Sequence, residues 1–191
     1  MYTIEQLRKD LDALPSRLLD PRFLKGESLG NEVPFWIFHY PADCELFVRA
    51  HFQSLEKALS SKNVLHLNIF EVLIEMLKRR KLLNRIEMQE RRVGHLKIKE
   101  LLSVPLSQSR IAEHIQKSYD LEAQDLVIIS GLGVAWPLLR GHELLSALQN
   151  IMKATPLVLF YPGNYDGYSL SPFGRVDSSN YYRAFTLNSS D

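Results

Sequence analysis

Hydrophobic residues follow two patterns along this chain: short runs that are apolar throughout, and longer stretches with helical spacing. The continuous runs are PFWIFHYP at 34–41, NVLHLNIF at 63–70, DLVIIS at 125–130, PLVLFYPG at 156–163 and YYRAFTL at 181–187. A run without alternation is typical of a strand that is buried on both faces, as in a parallel sheet. We therefore predict five strands, with the second running into a helix.

Between these runs, apolar side chains recur every three or four residues, which predicts amphipathic helices. The predicted helices cover 3–14 (ended by Pro15), 43–60, about 70–80, 107–119, and a stretch beginning near Pro137. Thr3, with Gln6 as its partner, is placed to cap the first helix. Asn68 and Glu71 form a similar arrangement at the start of the third.

Strands that alternate with helices of this length imply a parallel sheet covered by helices on both faces. We predict a single α/β domain over residues 1–191, with three layers and a mostly parallel five-stranded sheet. Segments 20–34 and 164–180 are rich in turn-forming residues and are predicted loops. Residues 78–105 are helical in composition and are predicted to form a basic insertion that protrudes from the core.

Composition narrows the class of protein. The chain has 191 residues, of which 46% are hydrophobic and 24% charged, as in an ordinary globular domain. Its single cysteine, Cys44, cannot form an internal disulfide or a cysteine-based zinc site alone. No apolar run approaches the ~18 residues of a membrane span. These features predict a cytoplasmic protein that does not contact membranes.

The net charge of +1 conceals a strong segregation of charge. Residues 78–99 contain nine basic and two acidic residues, a local charge of +7, whereas the rest of the chain carries −6. Such a segment can attract an acidic protein surface or a phosphate backbone, or it can be a solvated helical face. It contains no aromatic residue for base stacking, which argues against readout of single strands. The candidate partner-binding residues here are Arg79, Arg80, Arg91 and Arg92.

Polar residues follow the predicted strands, where ligands bind in open α/β sheets. If this rim were catalytic, His39 with Asp43 as an orienting carboxylate, together with Asp166, would be its best residues. Cys44 with His39 could form a nucleophile pair. His66 lies inside an apolar strand pattern, and we interpret it as a hydrogen-bonded core residue.

Motifs for cofactors and metals are incomplete. The loop after the first strand lacks the glycines, Lys and Ser/Thr of a phosphate-gripping P-loop. After DLVIIS, the chain offers Gly131 and Gly133, but the third glycine of a dinucleotide fingerprint would fall at Trp136. The histidines show no zinc-site spacing, and no GxSxG elbow is present. We predict no cofactor, no metal and no catalytic residue.

A cluster of tyrosines surrounds the segment YPGNYDGYSL. Tyrosine-rich surfaces often mark protein interfaces, so Tyr165, Asp166 and Tyr168 are further candidate partner-binding residues. Two alternatives remain open. The rings can clamp the loop onto the domain, and Asp166 can serve the turn itself, since Asn-x-Asp-Gly is ordinary turn chemistry.

From about residue 20 to its end, the chain closely resembles the BrxB family, the small proteins of bacterial BREX phage-defence systems. The resemblance rests on FLKGESLGNEVPFWIFHYP, DLVIISGLGVAWPLLRGHELLSALQ, PLVLFYPGNYDGYSLSPFG and NYYRAFTL. The combination of YPGNYDG with NYYRAF is its most specific part. The chain also looks like a P-loop-type α/β fold that lacks the P-loop.

The resemblance implies a non-enzymatic adaptor that binds the alkaline-phosphatase-like PglZ subunit, alongside a methyltransferase and a large ATPase. It supplies no catalytic residue to carry over. One alternative is a degenerate nucleotide-binding protein or enzyme that uses the strand-end rim. Another is a module that contacts DNA, weakly or indirectly, through residues 78–99.

Overall fold

A mostly parallel sheet forms the middle layer of the structure, a computed structural model that describes residues 3–26, 33–176 and 182–189. Its strands are β1 (Phe35–Tyr40), β2 (Val64–Asn68), β3 (Leu126–Ser130), β4 (Leu157–Tyr165), β5 (Leu170–Pro172) and β6 (Phe185–Thr186). Five of them pair in parallel in the order β2-β3-β4-β1-β6, and β5 pairs antiparallel with β4. The predicted α/β class with a mostly parallel sheet is confirmed, and the sheet has six strands rather than the predicted five.

Helices surround the sheet. They are α1 (Ile4–Leu18), α2 (Pro21–Lys25), α3 (Glu45–Ala58), α4 (Ile69–Arg79), α5 (Leu83–Val93), α6 (His95–Ser103), α7 (Gln108–Ser118), α8 (Leu132–Ala135) and α9 (Gly141–Gln149). Thr3 and Gln6 form the expected capping box of α1. The Asn68 carboxamide oxygen accepts from the first backbone N–H groups of α4, as predicted.

Three predictions about the helices are corrected. First, α1 continues through Pro15 to Leu18, because Leu18 is fully buried and its packing outweighs the hydrogen bond that proline cannot make. Second, the predicted loop 20–34 contains α2, which Asp20 caps at its start and left-handed Gly26 ends.

The third correction concerns the helix expected near Pro137. The chain instead forms the short α8 before this proline, and α9 begins only at Gly141. A residue that precedes proline is disfavoured in the helical region, and Trp136 is accordingly extended, with ψ of 139°. The proline therefore separates two helices rather than starting one.

The two faces of the sheet bury separate hydrophobic clusters. Strand β3 shows the division, since Leu126 and Ile128 pack under α1 and α3 while Val127 and Ile129 face the helices on the other side. Because both faces of β3 are buried, the run DLVIIS does not alternate between apolar and polar residues. In the predicted strand 181–187, the paired portion is Phe185–Thr186, and Tyr181 lies outside the described residues.

The predicted loop 164–180 is partly strand. Strand β4 extends to Tyr165 and turns back through β5, so that Asn164 lies opposite Ser171. Gly163 makes this close pairing possible, because a Cβ there would lie 2.3 Å from the Ser171 carbonyl oxygen.

The basic segment is helical, as predicted, and consists of α5 and α6 with the end of α4. Gly94 separates α5 from α6 with a φ of +81°, a backbone conformation that favours glycine. No residue of α5 is buried, whereas α6 buries Ile98 and Leu102 against the core.

Candidate functional site

A cleft of about 310 Å³ opens beyond the carboxyl ends of β2 and β3. Phe52 and Arg49 of α3 line one side, and Phe70 at the start of α4 lines another. Ser130 is the last residue of β3, and His66 lies two residues before the end of β2. The cleft therefore lies where open α/β sheets place their ligands.

Two residues that line the cleft, His66 and Ser130, form one chain of hydrogen bonds with Glu56, whose side chain is half exposed and lies outside the cleft lining. Nδ1 of His66 lies 2.7 Å from Oε1 of Glu56 in α3. Nε2 of the same ring lies 2.8 Å from Oγ of Ser130. The imidazole thus joins a carboxylate on one side to a serine hydroxyl on the other.

The partners of the ring determine where its proton lies. An ionised carboxylate only accepts hydrogen bonds, so Nδ1 of His66 carries the hydrogen that is donated to Glu56. In the neutral imidazole, Nε2 then accepts the hydrogen bond that the Ser130 hydroxyl donates. This assignment follows from the bonding pattern. It is the proton arrangement in which a histidine can take a proton from a serine.

The sheet register brings these residues together. Asn68 of β2 is paired with Ser130 of β3, and His66 lies two residues earlier on the same face as Asn68. That face points to α3, whose Phe52 stacks on the His66 ring with centroids 4.4 Å apart and planes 9° apart. The stacking fixes the plane of the imidazole between its two hydrogen-bonding partners.

The turn that follows Ser130 depends on Gly131. This residue has a φ of +77°, and a Cβ on it would lie 2.1 Å from the Asn68 side-chain oxygen. Only glycine fits so close to that carboxamide, which itself caps α4. Gly131 thus permits the tight turn that joins β3 to α8.

The arrangement predicted around His39 is different in the structure. Burial lowers the pKa of His39, and the nearby charge that opposes this effect is that of Asp10 in α1, rather than Asp43. Backbone hydrogen bonds join His39 to the side chain of Asn188 near the C-terminus. The backbone of His39 thus attaches the segment around Asn188 to β1.

Cys44 does not have the features of an activated nucleophile. Burial and the neighbouring charge of Asp43 raise the pKa of the thiol, which disfavours the reactive thiolate. The pair of Cys44 with His39 therefore gains no support.

The tyrosine cluster divides into buried and exposed members. Tyr165 is only 6% exposed, and its hydroxyl bonds both the N–H and the carbonyl of Ala184 at 2.7 and 2.8 Å. It attaches the C-terminal segment, so we remove it from the predicted partner-binding set. Tyr168 is 60% exposed and stays in that set.

Asp166 serves the turn, as the alternative interpretation held. Its carboxylate accepts hydrogen bonds from the backbone N–H groups of Ser169 and Tyr168 at 2.7 and 2.9 Å. These bonds, that of Ser169 first, lower the pKa of Asp166. An acid occupied in this way has a structural role, although it stays accessible at the surface.

The four predicted arginines lie on or beside α4 and α5 and are all exposed. Arg79 pairs with Glu75, and Arg91 pairs with Glu87, each one helical turn away. Large exposed apolar residues occur beside them, namely Met88, Val93, Leu96, Leu101 and Val104. Sequence patterning had identified the charge of this segment but not its exposed apolar side chains.

The chain of Glu56, His66 and Ser130 was also missed. His66 was expected to be a hydrogen-bonded residue inside a strand, and it is one. Its partners lie 10 and 64 residues away, so no local motif contains all three. The available signal was the position of Ser130 at the end of the most apolar run, beside a glycine.

Within the described residues, no three His, Cys, Asp or Glu side chains gather in a way that could hold a metal ion. The same described part of the chain contains no helix that is both long and apolar enough to cross a membrane.

The family profile and the relatives that match this chain all have the same description. A profile described as BREX protein BrxB matches residues 65–187. A BREX protein BrxB of Escherichia coli O9:H4 (strain HS) is 51% identical, over 93% of this chain and 89% of the relative. A BREX protein BrxB of Bacillus cereus (strain H3081.97) is 29% identical, over 96% of this chain and 98% of the relative. No solved structure matches. From the profile and the relative that is 51% identical, we conclude that the chain belongs to the BrxB family of BREX proteins.

Proposed function

We propose that this chain is an adaptor subunit of a bacterial BREX anti-phage defence complex, and that it binds the alkaline-phosphatase-like PglZ subunit of the same system. Membership of the BrxB family makes other BREX proteins the expected partners. The observation that carries the proposal is the surface of residues 78–104, which we call the α5–α6 surface.

This surface combines a concentrated charge with little burial. Residues 78–99 carry +7 against −6 for the rest of the chain. Two of the arginines, Arg79 and Arg91, have an acidic neighbour on their own helix, and such exposed pairs contribute little to stability. The basic side chains are exposed, and positive charge at the surface favours encounter with an acidic protein surface.

Exposed apolar side chains favour a protein partner over nucleic acid. Met88 and Leu96 are 70% and 74% exposed, and Leu101 and Val104 are more than half exposed. Apolar area that water covers in the free protein can be buried against a partner, which gives binding energy that a phosphate backbone does not offer. A purely DNA-binding face would gain nothing from these residues.

The test is a pull-down of the PglZ subunit with a fourfold charge reversal, Arg79, Arg80, Arg91 and Arg92 each changed to Glu. All four side chains are exposed, so the variant is expected to fold. We expect at least a tenfold loss of PglZ capture and loss of phage resistance in cells that depend on this subunit. Added salt should weaken capture by the unchanged protein.

A matched control reverses four basic residues elsewhere, Arg8, Lys9, Lys57 and Lys62, all of which are exposed. This control changes the net charge by the same amount, so it should retain capture. Equal capture by both variants, or full phage resistance of the first, would remove the α5–α6 surface from the account. Duplex DNA binding at low salt that only the first variant loses would instead favour the DNA alternative.

A further inference from the structure

We propose that the cleft beyond β2 and β3 is a serine-dependent esterase site, in which Ser130 is the nucleophile, His66 the general base and Glu56 the positioning carboxylate. The inference goes beyond the adaptor role, and none of its residues lies on the α5–α6 surface. It departs from the expectation, drawn from the sequence, that the chain is not an enzyme.

The geometry is that of an activated serine. A serine hydroxyl becomes a useful nucleophile when an unprotonated ring nitrogen accepts its hydrogen and a third group orients the ring. Oγ of Ser130 lies 2.8 Å from Nε2 of His66, and Nδ1 of the ring lies 2.7 Å from the Glu56 carboxylate. Both distances fall within the hydrogen-bonding range required for such transfers.

The surroundings of Ser130, His66 and Glu56 indicate the class of substrate. Ser130 is 6% exposed and lines the cleft. Phe52 and Phe70 give the cleft two aromatic surfaces, and Arg49 gives it a cation. We therefore expect a small carboxylic ester, with an apolar group beside the rings and no bulk that would prevent approach to Ser130.

The reaction needs only the ester and water. Oγ of Ser130 attacks the carbonyl carbon and forms a C–O bond, while its proton moves to Nε2 of His66. The ester C–O bond then breaks, and His66 returns that proton to the departing alcohol. Water attacks the acyl-serine, again giving a proton to His66, which passes it to Ser130 as the carboxylic acid leaves.

The test uses the full chain with a fluorophosphonate probe and with p-nitrophenyl acetate. We expect a covalent adduct that maps to Ser130 and steady release of p-nitrophenol. Ser130→Ala should lose both, and His66→Gln should lower the acetate turnover roughly 10³- to 10⁴-fold. Ser54→Ala is the matched control, since it removes an exposed serine from the helix that carries Glu56.

Glu56→Gln separates positioning from packing, because glutamine keeps the size of the side chain but not its charge. We expect kcat to fall roughly 10²- to 10⁴-fold while KM and the melting temperature change little. Absence of an adduct at Ser130 in folded protein would overturn the proposal. Labelling that His66→Gln leaves undiminished, or turnover that Ser130→Ala retains, would overturn it as well.

The adaptor role and this site can fail separately. Ser130→Ala should capture PglZ as well as the unchanged chain does. Fourfold charge reversal of the α5–α6 surface should leave the probe adduct unchanged. Loss of capture in Ser130→Ala with a normal melting temperature would contradict the independence of the two sites.

Discussion

The hydroxyl oxygen of Ser130 lies 2.8 Å from Nε2 of His66, although 64 positions separate the two residues along the chain. The contact exists because β2 and β3 are parallel neighbours, with Asn68 opposite Ser130. A fourth residue, Phe52, stacks on the ring and holds its plane. The relationship matters for stability whether or not the site performs chemistry.

We expect Ser130→Val to lower the free energy of unfolding by about 1–3 kcal/mol, because valine leaves a partly buried ring nitrogen of His66 without its partner. Urea denaturation followed by circular dichroism measures this change. Ser130→Thr keeps the hydroxyl and should cost less. Equal stability of the two variants would mean that the hydrogen bond contributes nothing measurable.

We expect Gly131→Ala to be more destabilising than Gly94→Ala, although both glycines have similar positive φ angles of +77° and +81°. Alanine is strained at both positions: Gly131 is left-handed, at about 1–2 kcal/mol, and Gly94, with a ψ of 160°, lies in a region confined to glycine, at about 1–3 kcal/mol. At Gly131 the new Cβ would also lie 2.1 Å from the Asn68 oxygen, whereas at Gly94 it meets nothing within 4 Å. Thermal melts of the pair isolate the contact with Asn68, and identical melting temperatures would contradict this close approach.

We expect Tyr165→Phe to cost about 1–3 kcal/mol, because the buried N–H of Ala184 loses the hydroxyl that accepts its hydrogen bond. The C-terminal segment at 182–189 should then be cleaved faster in limited proteolysis. Tyr161→Phe is the control, since the buried Tyr161 hydroxyl has no hydrogen-bond partner among the described residues and its loss should change neither measurement. If Tyr165→Phe were cleaved at the rate of the unchanged chain, the hydrogen bonds of the Tyr165 hydroxyl would not be needed to hold the C-terminal segment.

We expect the chain to lose stability as the pH falls below neutrality, in part because burial lowers the pKa of His39 below 6.5. Between the lowered folded value and 6.5, the unfolded chain binds a proton that the folded chain does not. The free energy of unfolding therefore decreases as the pH falls through this window.

His39→Gln should flatten this pH dependence. The measurement is urea denaturation from pH 7.5 to pH 5, with His95→Gln as the control for loss of an exposed imidazole. An unchanged slope in His39→Gln would contradict the effect of burial on His39.

Much of the fold could be predicted because local patterning was consistent with it. The apolar runs became β1 to β4, and the capping residues Thr3 and Asn68 act at the predicted helix starts. The failures occurred where distant packing outweighed local preference, as at Pro15, where burial of Leu18 extends α1. Strand β5 escaped prediction because its three residues lie in a segment with turn composition.

The candidate sites were less predictable. Charge can be counted along the sequence, so the basic part of the α5–α6 surface was found. Exposure of Leu96 and Met88 depends on how little α5 and α6 are covered, which only the packing shows. His66 was recognised as hydrogen-bonded, but its partner Ser130 follows from strand order, which the sequence did not supply.

The most direct test of the adaptor account is the dissociation constant for PglZ, measured by titration calorimetry with single substitutions of matched exposure. Leu96 on α6 is 74% exposed and Leu46 on α3 is 76% exposed, so aspartate should be tolerated at both positions in the free protein. If PglZ covers the α5–α6 surface, Leu96→Asp should weaken binding at least tenfold and Leu46→Asp should leave it unchanged. Equal affinities for the two variants, or a loss confined to Leu46→Asp, would contradict the account.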